Sequence, residues 1–118
     1  MRIVVFLLAL CTANPSHAET DVRDFLLEYN KATEDGKRLL DSFLHGLVVA
    51  YGWSNVTLKS DDMPPHFCPN ARFIKDIEEP VMMVRRMASA DPQTLDAPVG
   101  AALLANLKRR FPCRESKD

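Results

Sequence analysis

From residue 20 onward the apolar positions recur at helical spacing. Val22, Phe25, Leu26 and Tyr29 fall at i, i+3, i+4 and i+7, the stripe of an amphipathic helix. Thr20 is placed to cap it, and Asp21 lies in its positive first turn. Leu40, Phe43, Leu44, Leu47, Val48 and Tyr51 repeat the pattern and predict a second, longer helix, with Asp35-Gly36 as the break before it and Gly52 and Asn55 marking its end. Residues 53–71 then lose all period. They hold three prolines, two asparagines and an acidic pair, and predict a loop of about 19 residues, longer than most unstructured connections in compact domains. Helical spacing returns at Ile74, Ile77, Val81, Val84 and Met87. Pro80 either starts or kinks that helix, which is placed at about Glu78 to Ser89 after a short turn. Asp91-Pro92 breaks the chain. A last helix carries Val99, Leu103 and Leu107, with Ala102 beside the stripe, Asn106 at its polar margin and Pro98 suited to its first turn. No period-two run exceeds four positions. The expected fold is therefore all-α, a compact bundle of about four helices around one core. Met82, Met83 and Met87 read as filler of that core.

The first 18 residues stand apart from this pattern. Met1-Arg2 is a short basic start, Ile3–Leu10 is an unbroken apolar run, and small or polar residues follow to Ala18. This order predicts a signal peptide cleaved near Ala18, with residues 19–118 as the mature helical domain. Eight apolar residues extend about 12 Å as a helix, short of a hydrocarbon core of roughly 30 Å, which argues against a membrane anchor. A lipid anchor at Cys11 is the competing reading, although Leu10 is bulky for the position before such a cysteine. Of 15 Lys and Arg only Arg2 falls in the leader, so 14 remain against 16 Asp and Glu. A net charge near −2 is neither a nucleic-acid footprint nor a polybasic membrane patch.

Cysteine count sharpens the picture. With Cys11 in the leader, two of three cysteines remain, Cys68 and Cys113, and in an exported chain they predict one disulfide, with two free buried thiols as the alternative. A periplasmic or secreted location follows.

Candidate chemistry is sparse. His66 and Cys68, with Asp61 and Asp62 nearby, outline a metal site or a Cys–His pair only weakly, because zinc spacings are absent and a bridged sulfur is no nucleophile. None of the four glycines lies in a phosphate-binding motif, and no Gly-x-Ser-x-Gly elbow occurs. The chain is read as a non-enzyme without cofactor or metal. Binding remains. Trp53, Asp61, Asp62, Met63 and His66 on the long loop form a candidate protein-contact surface, since aromatic residues dominate hot spots and a tethered loop loses less entropy on docking. The alternative for Trp53 is that it packs back on the bundle. Asn55-Val56-Thr57 matches a glycosylation sequon.

The order of motifs is a signal peptide, a helix pair, Phe43-Leu44-His45-Gly46, Phe67-Cys68-Pro69, a helix, Asp91-Pro92, and a last helix closing on Phe111-Pro112-Cys113. This order resembles the Rap/Tai family of type VI secretion amidase-immunity proteins. The resemblance implies a periplasmic all-α protein, often a homodimer, that occludes a peptidoglycan amidase effector. Family members often carry a second cysteine pair joining the first two helices. Here Asn30 or Tyr29 and Leu44 stand at those positions, so packing takes the place of the covalent link. The alternative is a general cell-envelope interaction or chaperone-like protein with no toxin partner.

Overall fold

The computed structural model describes residues 19–69 and 79–114. The predicted signal segment, the stretch containing Ile74 and Ile77, and the end of the polar tail lie outside the described residues. Among the described residues four α-helices occur in order: α1 (Val22–Lys31), α2 (Glu34–Ser60), α3 (Pro80–Ala90) and α4 (Val99–Arg110), with a 3-10 turn at Pro92–Asp96 between the last two. The described residues contain no strand, only an isolated bridge between Asp21 and Pro98. The all-α bundle stands as the periodicity predicts.

The helix boundaries correct several details. α1 is capped by Asp21, not Thr20. Its carboxylate accepts the Asp24 N–H at 2.8 Å. The break before α2 lies at Ala32-Thr33, not Asp35-Gly36. Thr33 Oγ1 accepts the Gly36 N–H at 3.2 Å, which places Gly36 inside the first turn. Glu34 and Asp35 in that turn and Lys59 in the last one complement the helix dipole. The far end of α2 is the largest correction. The helix continues through Gly52 and Asn55 to Ser60. It stops because Asp62 adopts a left-handed conformation, φ 56°. The Met63 N–H then reaches Leu58 O at 2.8 Å, and the Asp62 N–H reaches Lys59 O at 3.2 Å. These two bonds satisfy the orphan carbonyls of the last turn in the Schellman arrangement, with Asp where Gly is usual.

Pro80 starts α3 and does not kink it. Asp91 ends it, and its carboxylate accepts the Gln93 N–H to open the 3-10 turn. Pro98 stands at the N-cap position of α4, just before its first turn, and makes no side-chain cap bond; Lys108, Arg109 and Arg110 occupy the last turn, where cations face the negative end of the dipole.

The core gathers Val22 and Phe25 of α1, Leu44 of α2, Val81, Met83, Val84 and Met87 of α3, and Val99, Ala102, Leu103 and Leu107 of α4, together with Phe67 from the loop after α2. Met83 and Met87 fill it as predicted, whereas Met82 is exposed. α1 and α2 are joined by packing. Phe25 meets Phe43 with ring centroids 6.3 Å apart, the Tyr29 hydroxyl donates to the Asp41 carboxylate, and Leu44 is fully buried. Asn30 stands on the surface and accepts from Arg85 at 2.8 Å.

The start of the described chain is stitched to α4. Val22 N–H donates to Ala97 O, and Val99 N–H donates to Thr20 O, each at 3.0 Å. The Gly100 N–H donates to the Glu19 carboxylate, and Tyr51 donates to Gly100 O at 2.7 Å. A Cβ on Gly100 would run into both the Glu19 carboxylate and the Tyr51 hydroxyl, so glycine is needed here for close approach. Burial, then the nearby Glu19 carboxylate, pushes the Tyr51 phenol above its ordinary value of 10.0.

Asn106 is also a correction. It is not at the polar margin of α4 but buried, and its Oδ1 has no hydrogen-bond partner among the described residues. A buried acceptor left unpaired costs the desolvation it is not repaid for. Asn106→Leu, close in shape, should raise stability by about 1 kcal/mol. A urea midpoint that falls in this variant would show that the amide is satisfied by bound water.

Candidate functional site

The loop residues that directly follow α2 are firmly seated. Phe67 inserts into the core with no exposed surface. Asn55, buried on the inner face of α2, holds the loop with both ends of its amide. Nδ2 donates to Phe67 O, and Oδ1 accepts the His66 N–H, both at 2.8 Å. The Cys68 N–H donates to Phe111 O at 2.8 Å, and the predicted disulfide joins Cys68 to Cys113 across 45 residues of sequence. Three independent restraints therefore fix residues 66–68: an apolar plug, a bidentate amide and a covalent tie to the end of α4.

Replacing Asn55 with leucine would keep the volume but strand two loop backbone groups. The expected loss is about 2 kcal/mol, read as a lower urea midpoint with an unchanged slope. A variant as stable as the parent would mean that Phe67 and the bridge seat the loop without the amide. The same bonds settle the sequon. Asn55 is 5% exposed and its amide nitrogen is engaged, so a glycan at this position is incompatible with this folded form.

The five predicted contact residues separate into two places. Trp53 is not on a loop, and it does not pack back on the bundle. It stands on the outer face of α2, 68% exposed, because the helix runs on past it. Asp61, Asp62, Met63 and His66 do belong to the connection, at the helix end and just beyond it, and their side chains face solvent. Trp53 lies eight residues before Asp61, roughly 12 Å along the axis. The sulfur of Cys68 is bonded to Cys113, so no thiolate is available for a Cys–His pair.

Sequence reasoning missed the larger feature. Leu39, Phe43, Val49, Trp53 and Val56 are all exposed on the outer side of α2. Phe43, expected in the core, is 44% exposed at the edge of this stripe. The opposite face, with Leu44, Val48 and Asn55, is buried. α2 is thus apolar on both sides, whereas a surface helix of a self-sufficient bundle has a polar outer face. The signal was present at 39 and 43 and again at 49, 53 and 56, neighbours spaced by three or four like those of the inner stripe. Asp41, Ser42, His45, Gly46 and Val49 of α2 line a surface groove with Glu79 and Pro80, so the groove runs into the stripe. Among the described residues no cluster of three His, Cys, Asp or Glu is close enough to hold a metal ion, and no helix is long and apolar enough to cross a membrane.

No protein-family model, curated protein or solved structure matches the chain. The family resemblance rests on the motif order alone.

Proposed function

We propose that this chain is an exported, periplasmic immunity-type protein that binds a peptidoglycan amidase effector and blocks it. The observation that carries the reading is the seated loop after α2. Its backbone is restrained by Phe67, Asn55 and the Cys68–Cys113 bridge, while Asp61, Asp62, Met63 and His66 face outward. A restrained loop with outward-facing side chains suits docking on an enzyme site, because its ordering entropy is lost on folding and not again on binding. The motif order supplies the class of target, and the bridge accords with an oxidising compartment.

The test is capture of partners from a periplasmic extract, followed by an amidase assay with and without the protein. Inhibition of a cell-wall amidase, weakened by Met63→Ala and Asp61→Ala together, is the expected result. Failure to bind or inhibit any such enzyme, including one encoded beside it, would overturn the reading. The second reading, an envelope interaction or chaperone-like protein with no toxin partner, draws on the exposed apolar face of α2. Binding of unfolded client proteins without amidase inhibition would favour it.

A further inference from the structure

We infer that the flank of α2 from Ser42 to Lys59 is a docking seam for one further helix, a basic amphipathic helix supplied by a partner protein. The first ground is spacing. The groove beside Glu79 takes Ser42, His45 and Val49 from α2, and a second groove takes Gly52, Val56 and Lys59. These positions follow one another by three, four, three, four and three residues. That alternation is the one with which a helix packs along another helix. The two grooves lie end to end on one flank of α2 and together extend about 26 Å, close to five turns.

The second ground is a pair of missing side chains. Gly46 borders the first groove and Gly52 the second, and a Cβ on either would meet no atom within 4 Å. Glycine inside a helix is unfavourable relative to alanine. Nothing in the described fold requires it at either place, whereas a second backbone running along the grooves would come close at both.

The third ground is charge, and it selects the partner. Asp41 and Glu79 line the first groove. Glu79 stands at the N-cap position of α3 yet makes no side-chain cap bond, and Asp41 accepts from the neutral Tyr29 hydroxyl. Among the described residues neither carboxylate pairs with a cation. Arg38, one turn before Ser42, is already paired with Asp35. Beyond the far end of the seam Asp61 and Asp62 outnumber Lys59. The apolar positions Val49 and Val56, with exposed Trp53 beside them, are therefore flanked mainly by acid. Lysine or arginine along the edge of an incoming helix would answer it. A second copy of this chain would bring the same acidic flank against itself, and an anionic membrane surface would meet the same repulsion.

Trp53 is the only tryptophan and stands one turn after Val49, so its fluorescence reads the seam. The probe is a synthetic amphipathic helix of about five turns, leucine and alanine on one face and lysines along its edge. Its control carries glutamine in place of every lysine. With the disulfide-intact protein at low salt, the lysine peptide should bind at micromolar concentration and shift the Trp53 emission to the blue. The glutamine control should bind roughly tenfold more weakly. Glu79→Gln, an exposed change, should narrow that gap roughly threefold. Gly46→Leu fills the first groove while favouring the helix. It should abolish binding of both peptides with unchanged circular dichroism and a urea midpoint no lower than the parent's. A lysine peptide that does not bind overturns the inference. So do equal affinities for the two peptides, which would make this a promiscuous apolar surface, and a gap that Glu79→Gln leaves intact. A dimer in sedimentation whose Trp53 emission is already blue-shifted would make the occupant a second copy. Anionic vesicles bound in preference to the peptide would make it a membrane, and either result overturns the inference too. The seam does not depend on the amidase reading, because an enzyme held by Asp61, Met63 and His66 alone would leave peptide binding and Trp53 emission unchanged.

Discussion

Replacing Cys68 or Cys113 with serine should each lower stability by up to about 4 kcal/mol, and replacing both should cost no more than either alone. The bridge closes a loop of 45 residues. The chain-entropy relation for that length gives about 4 kcal/mol as an upper value, nearly all of it through the unfolded ensemble. Domains of this size are stable by only ~5–15 kcal/mol, so this one bond is a large share of the total. Each serine variant cuts the same bond, and the pair must therefore be strongly non-additive. Urea denaturation of the two single variants and the double variant, under oxidising conditions, makes the measurement. Two losses that add would mean that the sulfurs act separately and that the closed loop is not the source of the stabilisation. Reduction of the parent should reproduce the serine variants, because it removes the same constraint and leaves the core intact.

The fold was legible where side chains repeat with the helix and illegible where a single residue decides a boundary. The stripes at Val22–Tyr29, Val81–Met87 and Val99–Leu107 predict buried faces, and the structure buries them. The end of α2 was misplaced because Gly52 and Asn55 look like stop signals. In fact Gly52 lies within the helix, and Asn55 turns inward to hold the loop. The true stop at Asp62 carries a residue that enters the left-handed region less readily than glycine, so local composition gave little notice of it. That error carried Trp53 onto a loop. It also hid the outer stripe, because once one apolar face explains a helix, Phe43 is naturally assigned to it. The seated loop could not be read from sequence at all. Its placement depends on Asn55 meeting the backbone of His66 and Phe67, a contact set by tertiary structure and not by periodicity.

Truncating Phe67 to alanine should cost about 3–5 kcal/mol, comparable to losing the bridge, yet with a different local signature. Phe67 is fully buried among side chains from all four helices, so its loss removes apolar burial and leaves a cavity that the helices can close only in part. The bridge acts mainly on the unfolded chain, whereas Phe67 acts on the native seat of the loop. Hydrogen exchange separates the two. The His66 and Cys68 amides donate to Asn55 and Phe111, and their protection reports whether the loop stays seated. In the cysteine variants Phe67 and Asn55 still hold the loop, so these amides should weaken only in step with global stability. In Phe67→Ala the bridge and the Asn55 amide still tether the loop, but the apolar plug that seats it in the core is gone. Their protection should then fall well below that of the α4 amides. If both variants lower the two amides and α4 in parallel, the loop is not a separately anchored element, and a rigid presenting surface for a partner loses its physical basis. If Phe67→Ala also abolishes partner binding while the cysteine variants keep it, the seat, and not the covalent tie, is what positions Asp61, Asp62, Met63 and His66.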